Sequence, residues 1–280
     1  MSFEVSADAY TKFMSRFSEP LAVQFADLAG VSPGGGSVDG PVTQGPVTQG
    51  EGGQGPVTQG EGGQRVLDVG CGPGALTAEL VRRLGPDSVN AIDPSESFVA
   101  AVRQRLPEVD IRLASAEQLP FEDGAFDVAM AQLVVQFMND PVAGLREMAR
   151  VTRPGGVVAA CVWDRGGGRS PLSPFWQAVA DLDQVEGESL GPGVNQGDIA
   201  RLFAQAGLAV VKDTELTVEV PQIGFDEWWE PVTLGVGPAG DYVVSLDADR
   251  RAQLRAHCQQ ILAKGPPVVS ATVWAVTGSP

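Results

Sequence analysis

Three glycines at alternate positions, Gly70, Gly72 and Gly74, directly follow the apolar run Val66-Leu67-Asp68-Val69. A helix-forming segment begins at Ala75. Glycines in such a place let the chain turn tightly over a strand end and let its backbone approach a ligand. The helix that follows offers free N–H groups beside that ligand. At the tip of the next apolar run sits Asp93, in Ala91-Ile92-Asp93-Pro94-Ser95. In a doubly wound sheet both tips lie at one edge, so Asp93 can accept hydrogen bonds from ribose hydroxyls. These residues fit two cofactor classes. Gly70-x-Gly72-x-x-Ala75 meets the dinucleotide fingerprint, and Asp93 suits a nicotinamide cofactor. Asp68, two residues before the first glycine, suits instead a cofactor that carries an ammonium group.

The elements that must position these groups alternate. Strands are expected at 65–69, 88–92, 109–113, 126–131 and 157–163, with helices at 75–84, about 95–106 and 142–151. Gly85-Pro86 and Pro154-Gly155-Gly156 supply helix stops. Short apolar strands alternating with helices mean a parallel sheet covered on both faces, an α/β fold. Upstream, 7–17 and 20–29 read as two helices, with Pro20 opening the second. Downstream, helices are expected at 174–182 and 198–206, a strand near 208–220, inserted helices over 225–263 and a last strand at 268–276.

Several later stretches add to the glycine turn. Ala114-Ser115-Ala116-Glu117-Gln118-Leu119-Pro120-Phe121, Phe126-Asp127-Val128-Ala129 and Leu145-Arg146-Glu147-Met148-Ala149-Arg150-Val151-Thr152-Arg153-Pro154-Gly155-Gly156 follow it in order. With Leu67–Gly74 and Ala91–Ser95 they resemble the motif series of a class I S-adenosylmethionine-dependent methyltransferase, of the methyltransferase-11 type. The resemblance covers about 65–164. It implies a Rossmann-like doubly wound sheet of about seven strands, mostly parallel with an antiparallel last strand. N-terminal helices and helical insertions would form a cap.

Residue by residue, the resemblance implies that Asp68, Gly70, Cys71, Gly72 and Gly74 hold the methionine part of S-adenosylmethionine. Asp93 would hold the ribose, with Pro94 and Ser95 shaping the pocket, and Ala116 and Glu117 would flank the adenine. Gln132 would face the methionine end or the methyl acceptor. Tyr10 and Phe13, at helical spacing with Phe17, are candidates for a lid, against ordinary helix packing. Trp176, Trp228 and Trp229 are candidates for an acceptor pocket, against the core of the added helices. No catalytic residue is identified. The single histidine, His257, reads as a surface or packing residue, and Cys71 as a small filler. No metal-ligand spacing occurs, so no metal is expected.

Composition bounds the rest. The 280 residues are 43% hydrophobic, enough for a sizeable core. A net charge of -16 disfavours nucleic-acid and anionic-membrane partners. No apolar run reaches the ~18 residues of a membrane span. Met1-Ser2-Phe3-Glu4-Val5 has no secretory pattern, and three scattered cysteines fit a reducing compartment, so a cytoplasmic protein is expected. The decamer GPVTQGEGGQ occurs at 45–54 and again at 55–64. With so little to bury, it reads as a flexible insertion. The expected organisation is 1–31 N-terminal helices, 32–64 insertion, 65–164 cofactor-binding core, and 165–280 the rest of the sheet with substrate-side helices. The reading is methyl transfer to a small molecule. A nicotinamide-dependent oxidoreductase and a non-catalytic cofactor-binding homologue are the alternatives.

Overall fold

The computed structural model describes residues 7–32, 63–183, 195–235 and 237–280. The decamer repeat, apart from its last two residues, lies outside the described residues, as do the side chains of Tyr10 and Phe13. The described residues build a seven-stranded sheet. In chain order its strands are β1 (Val66–Val69), β2 (Val89–Asp93), β3 (Asp110–Leu113), β4 (Phe126–Gln132), β5 (Thr152–Trp163), β6 (Ala209–Pro221) and β7 (Val268–Ser279). Their spatial order is β3-β2-β1-β4-β5-β7-β6. The pairs among β1 to β5 are parallel, and β7 runs antiparallel to both β5 and β6. This is the mostly parallel, Rossmann-like sheet the sequence implied.

The order reverses at β1, whose neighbours are β2 on one side and β4 on the other. Open α/β sheets bind ligands outside the carboxyl ends of strands at such a switch point. Every residue of β1 and β2 is buried, Asp68, Asn90 and Asp93 included. Helices α1 (Ala7–Leu28), α2 (Ala75–Leu84) and α3 (Glu96–Arg105) pack on one face through Phe25, Leu80 and Val102. Helices α4 (Pro141–Val151) and α6 (Asp198–Ala206) cover the other through Leu145, Met148 and Phe203. The remaining helices are α5 (Ser173–Asp183), α7 (Phe225–Val232), α8 (Gly237–Ser245) and α9 (Ala248–Leu262). They bury their own cluster around Phe175, Trp228, Trp229 and Val243. Because α7 to α9 connect β6 to β7, this cap stands at the carboxyl edge of the sheet.

Two expectations about local structure are corrected. The two N-terminal helices are one, with Pro20 inside α1. Met14, Phe17, Leu21 and Phe25 form a single buried stripe across the proline. An interior proline costs about 3 kcal/mol, and each large apolar side chain buried returns about 1.5–3 kcal/mol, so the continuous stripe wins. The second correction is at β5, which starts at Thr152 rather than Val157. The register with β4 breaks between Phe126–Thr152 and Val128–Val157, and Gly155 has φ 77°. The Pro-Gly-Gly turn survives as a bulge inside the strand.

Helix α1 is pinned by a residue that the sequence reading passed over. The Arg83 side chain, on α2, is only 3% exposed. It donates to Asp27 Oδ1 at 2.6 Å, Val31 O at 2.6 Å and Val23 O at 2.9 Å, and to Glu79 Oε1 at 2.7 Å. A guanidinium at the carbonyl end of α1 meets the negative end of the helix dipole.

Candidate functional site

The glycine turn is held by the neighbouring strand. Gly70 N–H and Cys71 N–H both donate to Ile92 O, at 2.8 and 2.9 Å. Gly72 N–H donates to Asp93 Oδ2 at 2.8 Å, and Ser95 N–H to Asp93 Oδ1 at 2.8 Å. One carboxylate thereby locks the β1 turn to the β2 turn. Gly70 and Gly72 both have positive φ, 72° and 52°. Their reasons for being glycine differ. A Cβ on Gly70 would sit 2.6 Å from a Val134 methyl in the loop after β4, so the two loops could not approach. A Cβ on Gly72 would meet nothing within 4 Å, so here the turn faces open space. That space is where a ligand could contact bare backbone.

Two acids stand at this turn. Asp68 is 1% exposed and accepts a hydrogen bond from Thr77 Oγ1 at 2.6 Å. Burial pushes its carboxyl up to about 7, the Thr77 hydroxyl partly counters this, and the nearby Asp93 adds to the rise. Asp93 is also raised by burial, against the pull of its two backbone N–H donors. No basic side chain contributes to either shift. The site is therefore acidic and lacks an internal counter-charge. Cys71 is buried between these acids, and burial followed by their charge pushes its thiol well up. It is a poor thiolate, consistent with a filler.

The other candidate residues lie around this turn with different partners. Ala114 N–H donates to Asp93 O at 3.1 Å, so the segment carrying Ala116 and Glu117 leaves from the β2 tip. Ala116 is buried in the cluster facing α4. Glu117 Oε1 accepts from Asn139 N–H at 2.8 Å and Asp140 N–H at 3.3 Å, tying that segment to the start of α4. Ser95 caps α3, its hydroxyl accepting from Phe98 N–H at 3.4 Å, while Pro94 is exposed. Gln132, the last residue of β4, donates from Nε2 to Ser18 O of α1 at 3.1 Å. Phe17 packs edge-on against Trp163, ring centroids 6.3 Å apart. The middle of α1 thus lies against the tips of β4 and β5.

Two of the three cap tryptophans are buried and the third is half-buried. Trp228 and Trp229 are buried beside Phe225, and the Phe225–Trp229 rings stack at 6.1 Å. Trp176 packs against Phe175 and Tyr242. His257 Nε2 lies 2.8 Å from Asp181 Oδ2 and joins α9 to α5. Among the described residues, no group of three or more His, Cys, Asp or Glu could hold a metal ion. No described helix is long and apolar enough to cross a membrane.

The sequence reading missed Thr77, Leu133 and Trp163. Thr77 had a legible signal, a hydroxyl three residues past Gly74 in the first turn of α2. Leu133 had none; it adopts φ 63°, a costly conformation for a leucine, and its N–H is held by Cys161 O at 2.9 Å. Trp163 was read only as the end of a strand.

Residues 67–160 match the family described as "Methyltransferase domain". An uncharacterized methyltransferase of Mycobacterium bovis is 30% identical over 209 residues, 74% of this chain and 76% of that protein. A probable S-adenosylmethionine-dependent methyltransferase of Mycolicibacterium smegmatis is 34% identical over 151 residues, 51% of this chain and 57% of that one. The chain spans about half the length of the first curated relatives it matches. Among solved structures, the [4+2]-cyclase SpnF shares the fold, with TM-score 0.51 and 20% identity over 94% of this chain and 80% of that one.

Proposed function

The chain belongs to the class I S-adenosylmethionine-dependent methyltransferase family, and on that premise we propose that it transfers a methyl group from S-adenosylmethionine to a small-molecule acceptor. The observation that carries this reading is Asp68, a buried acid without a basic partner beneath a glycine turn that opens onto free space. An ammonium or sulfonium group is the charge such a place lacks. The pyrophosphate of a dinucleotide would bring two negative charges toward Asp68 and Asp93, which like-charge repulsion opposes. The nicotinamide alternative is weaker for that reason.

The residues fit the cofactor as follows. Asp68 would hold the ammonium of the methionine end, and the backbone at Gly72 would pass close to it. Asp93 spends one lone pair of each oxygen on Gly72 and Ser95. A carboxylate has about four acceptor sites, so two remain for ribose hydroxyls. The segment around Ala116 and Glu117 would border the adenine. S-adenosylmethionine supplies an activated methyl group, and the displacement is in line. The chain's own part is alignment and exclusion of water. No positioned general base is present among the candidate residues, so an acceptor that holds a proton would release it to solvent.

The test is direct. Calorimetric titration with S-adenosylhomocysteine should show binding, and NADH should not. Binding of NADH alone would overturn the reading.

A further inference from the structure

Four buried side-chain atoms lack any hydrogen-bond partner among the described residues: Gln132 Oε1, Gln136 Oε1, Trp163 Nε1 and Trp176 Nε1. Such orphans are rare because each costs the desolvation of a polar group. Two of them share one place. Gln132 pairs in register with Cys161, and Trp163 lies two residues further along β5. Side chains two apart on a strand share a face, so Gln132 and Trp163 project from the same side of the sheet. Strand spacing and rise put their Cα atoms about 8 Å apart. Both stand at the carboxyl edge, and both touch α1, Gln132 through Ser18 O and Trp163 through Phe17. Trp163 is 7% exposed.

The two orphans are complementary. The Gln132 amide is oriented by its own bond: Nε2 must donate to Ser18 O, since a flipped amide would set two oxygens against each other. Its free atom is therefore an acceptor. The free atom of Trp163 is an N–H donor. We propose that Gln132 and Trp163 form the polar subsite for the methyl acceptor, and that it takes an uncharged small molecule presenting a donor and an acceptor together, such as a hydroxyl or carboxamide on an apolar body. This rests on the methyltransferase reading and names the substrate class for that site.

Charge and shape support the choice. Both orphan groups are neutral. Neither supplies the counter-charge that a buried anionic acceptor would need. Arg16, the cation next to Phe17 on α1, is engaged by Pro221 O at 2.5 Å and lies over the Phe17 ring. Met14, Phe17 and Leu133 provide apolar surface in the same cluster as Trp163. The strained Leu133 sits directly after Gln132, where the chain must turn sharply off β4.

The experiment uses the full chain saturated with S-adenosylhomocysteine and titrated with phenol, benzamide, anisole and benzoate. The Trp163 indole N–H resonance is followed by NMR and assigned with Trp163→Phe. Phenol and benzamide should move that resonance and bind at least about tenfold tighter than anisole or benzoate, the effect of one lost hydrogen bond to a buried group. In Trp163→Phe and in Gln132→Leu this preference should vanish, while Trp163→Phe keeps its affinity for S-adenosylhomocysteine. Equal binding of benzoate, or a Trp163 resonance that no probe moves, overturns the subsite. The wild-type spectrum decides this even where a variant fails to fold. Failure of S-adenosylhomocysteine itself to bind would instead strike the methyltransferase reading.

Discussion

Replacing Asp68 with asparagine separates what this acid does for the fold from what it does for the ligand. Burial moves its carboxyl from 3.8 to about 7. The folded state thus holds the proton more tightly than the unfolded state. The sign follows by linkage: the stabilising contribution is fully present below about pH 4 and is lost as pH rises through about 7. A difference of about three pH units corresponds to about 4 kcal/mol. Asp68→Asn cannot ionise and can still accept from Thr77. Wild type and variant should therefore be similarly stable below about pH 4. The variant should gain up to about 4 kcal/mol by pH 8, a melting difference of about 7 °C for a chain of this size.

Ligand binding should run the other way. An ammonium group needs the ionised carboxylate, so wild-type affinity for S-adenosylhomocysteine should rise with pH and level off above about 7. At pH 6 only about a tenth of the free protein carries that charge, giving affinity about tenfold below the plateau. Calorimetry in two buffers of different ionisation enthalpy should show close to one proton released per ligand at that pH. Asp68→Asn should bind weakly with no such slope. Affinity that stays within about threefold from pH 5.5 to 8 would refute the ammonium assignment. Parallel stability curves for the two proteins would refute the raised carboxyl.

Other substitutions test other parts. Asp93→Ala should weaken S-adenosylhomocysteine binding by about 1.5–3 kcal/mol, measured by calorimetry, because a charged acceptor is lost; it should also lower the melting temperature, since the clamp on Gly72 and Ser95 goes with it. Arg83→Ala should cost about 1.5–3 kcal/mol in denaturant unfolding, because Asp27, Val23 O and Val31 O lose a charged donor while Glu79 keeps Arg82. Trp229→Ala should cost about 3–5 kcal/mol while leaving cofactor affinity near wild type, because Trp229 packs in the cap core. Loss of turnover with unchanged stability would return it to the acceptor pocket.

The core of the fold was legible because its signals are local. Val66–Val69 running into Gly70-Cys71-Gly72 states strand and turn within seven residues, and Asp93 repeats that logic one unit later. The single α1 was not legible, since proline is read from its own missing N–H. What overrides it is the burial of Phe17, Leu21 and Phe25 against elements far along the chain. Arg83 escaped for the same reason: three of its four partners lie more than 50 residues away. Cap tryptophans at 228 and 229 look alike as core or as pocket until Phe225, Trp176 and Val243 are placed around them.

The site's polar residues divide by whether their bonds close within the chain. Asp93 closes the bond between two turns and still keeps capacity for a ligand. Glu117, expected at the adenine, turns its carboxylate to the backbone at Asn139 and Asp140. A sequence motif reports only that an acid stands there, so it cannot separate these cases. Asp68, Gln132 and Trp163 are the opposite case: each carries charge or hydrogen-bonding capacity that its neighbours leave unmet. Leaving a carboxylate buried beneath a turn, or an indole N–H under a helix, opposes folding. The apolar stripe of α1 offsets that cost, and Arg83 of α2 holds the end of that helix, whose middle lies against Gln132 and Trp163. Stability is thus concentrated in α1 and α2, and unmet polarity at the strand tips beside them, which is the arrangement expected where a ligand completes the bonding.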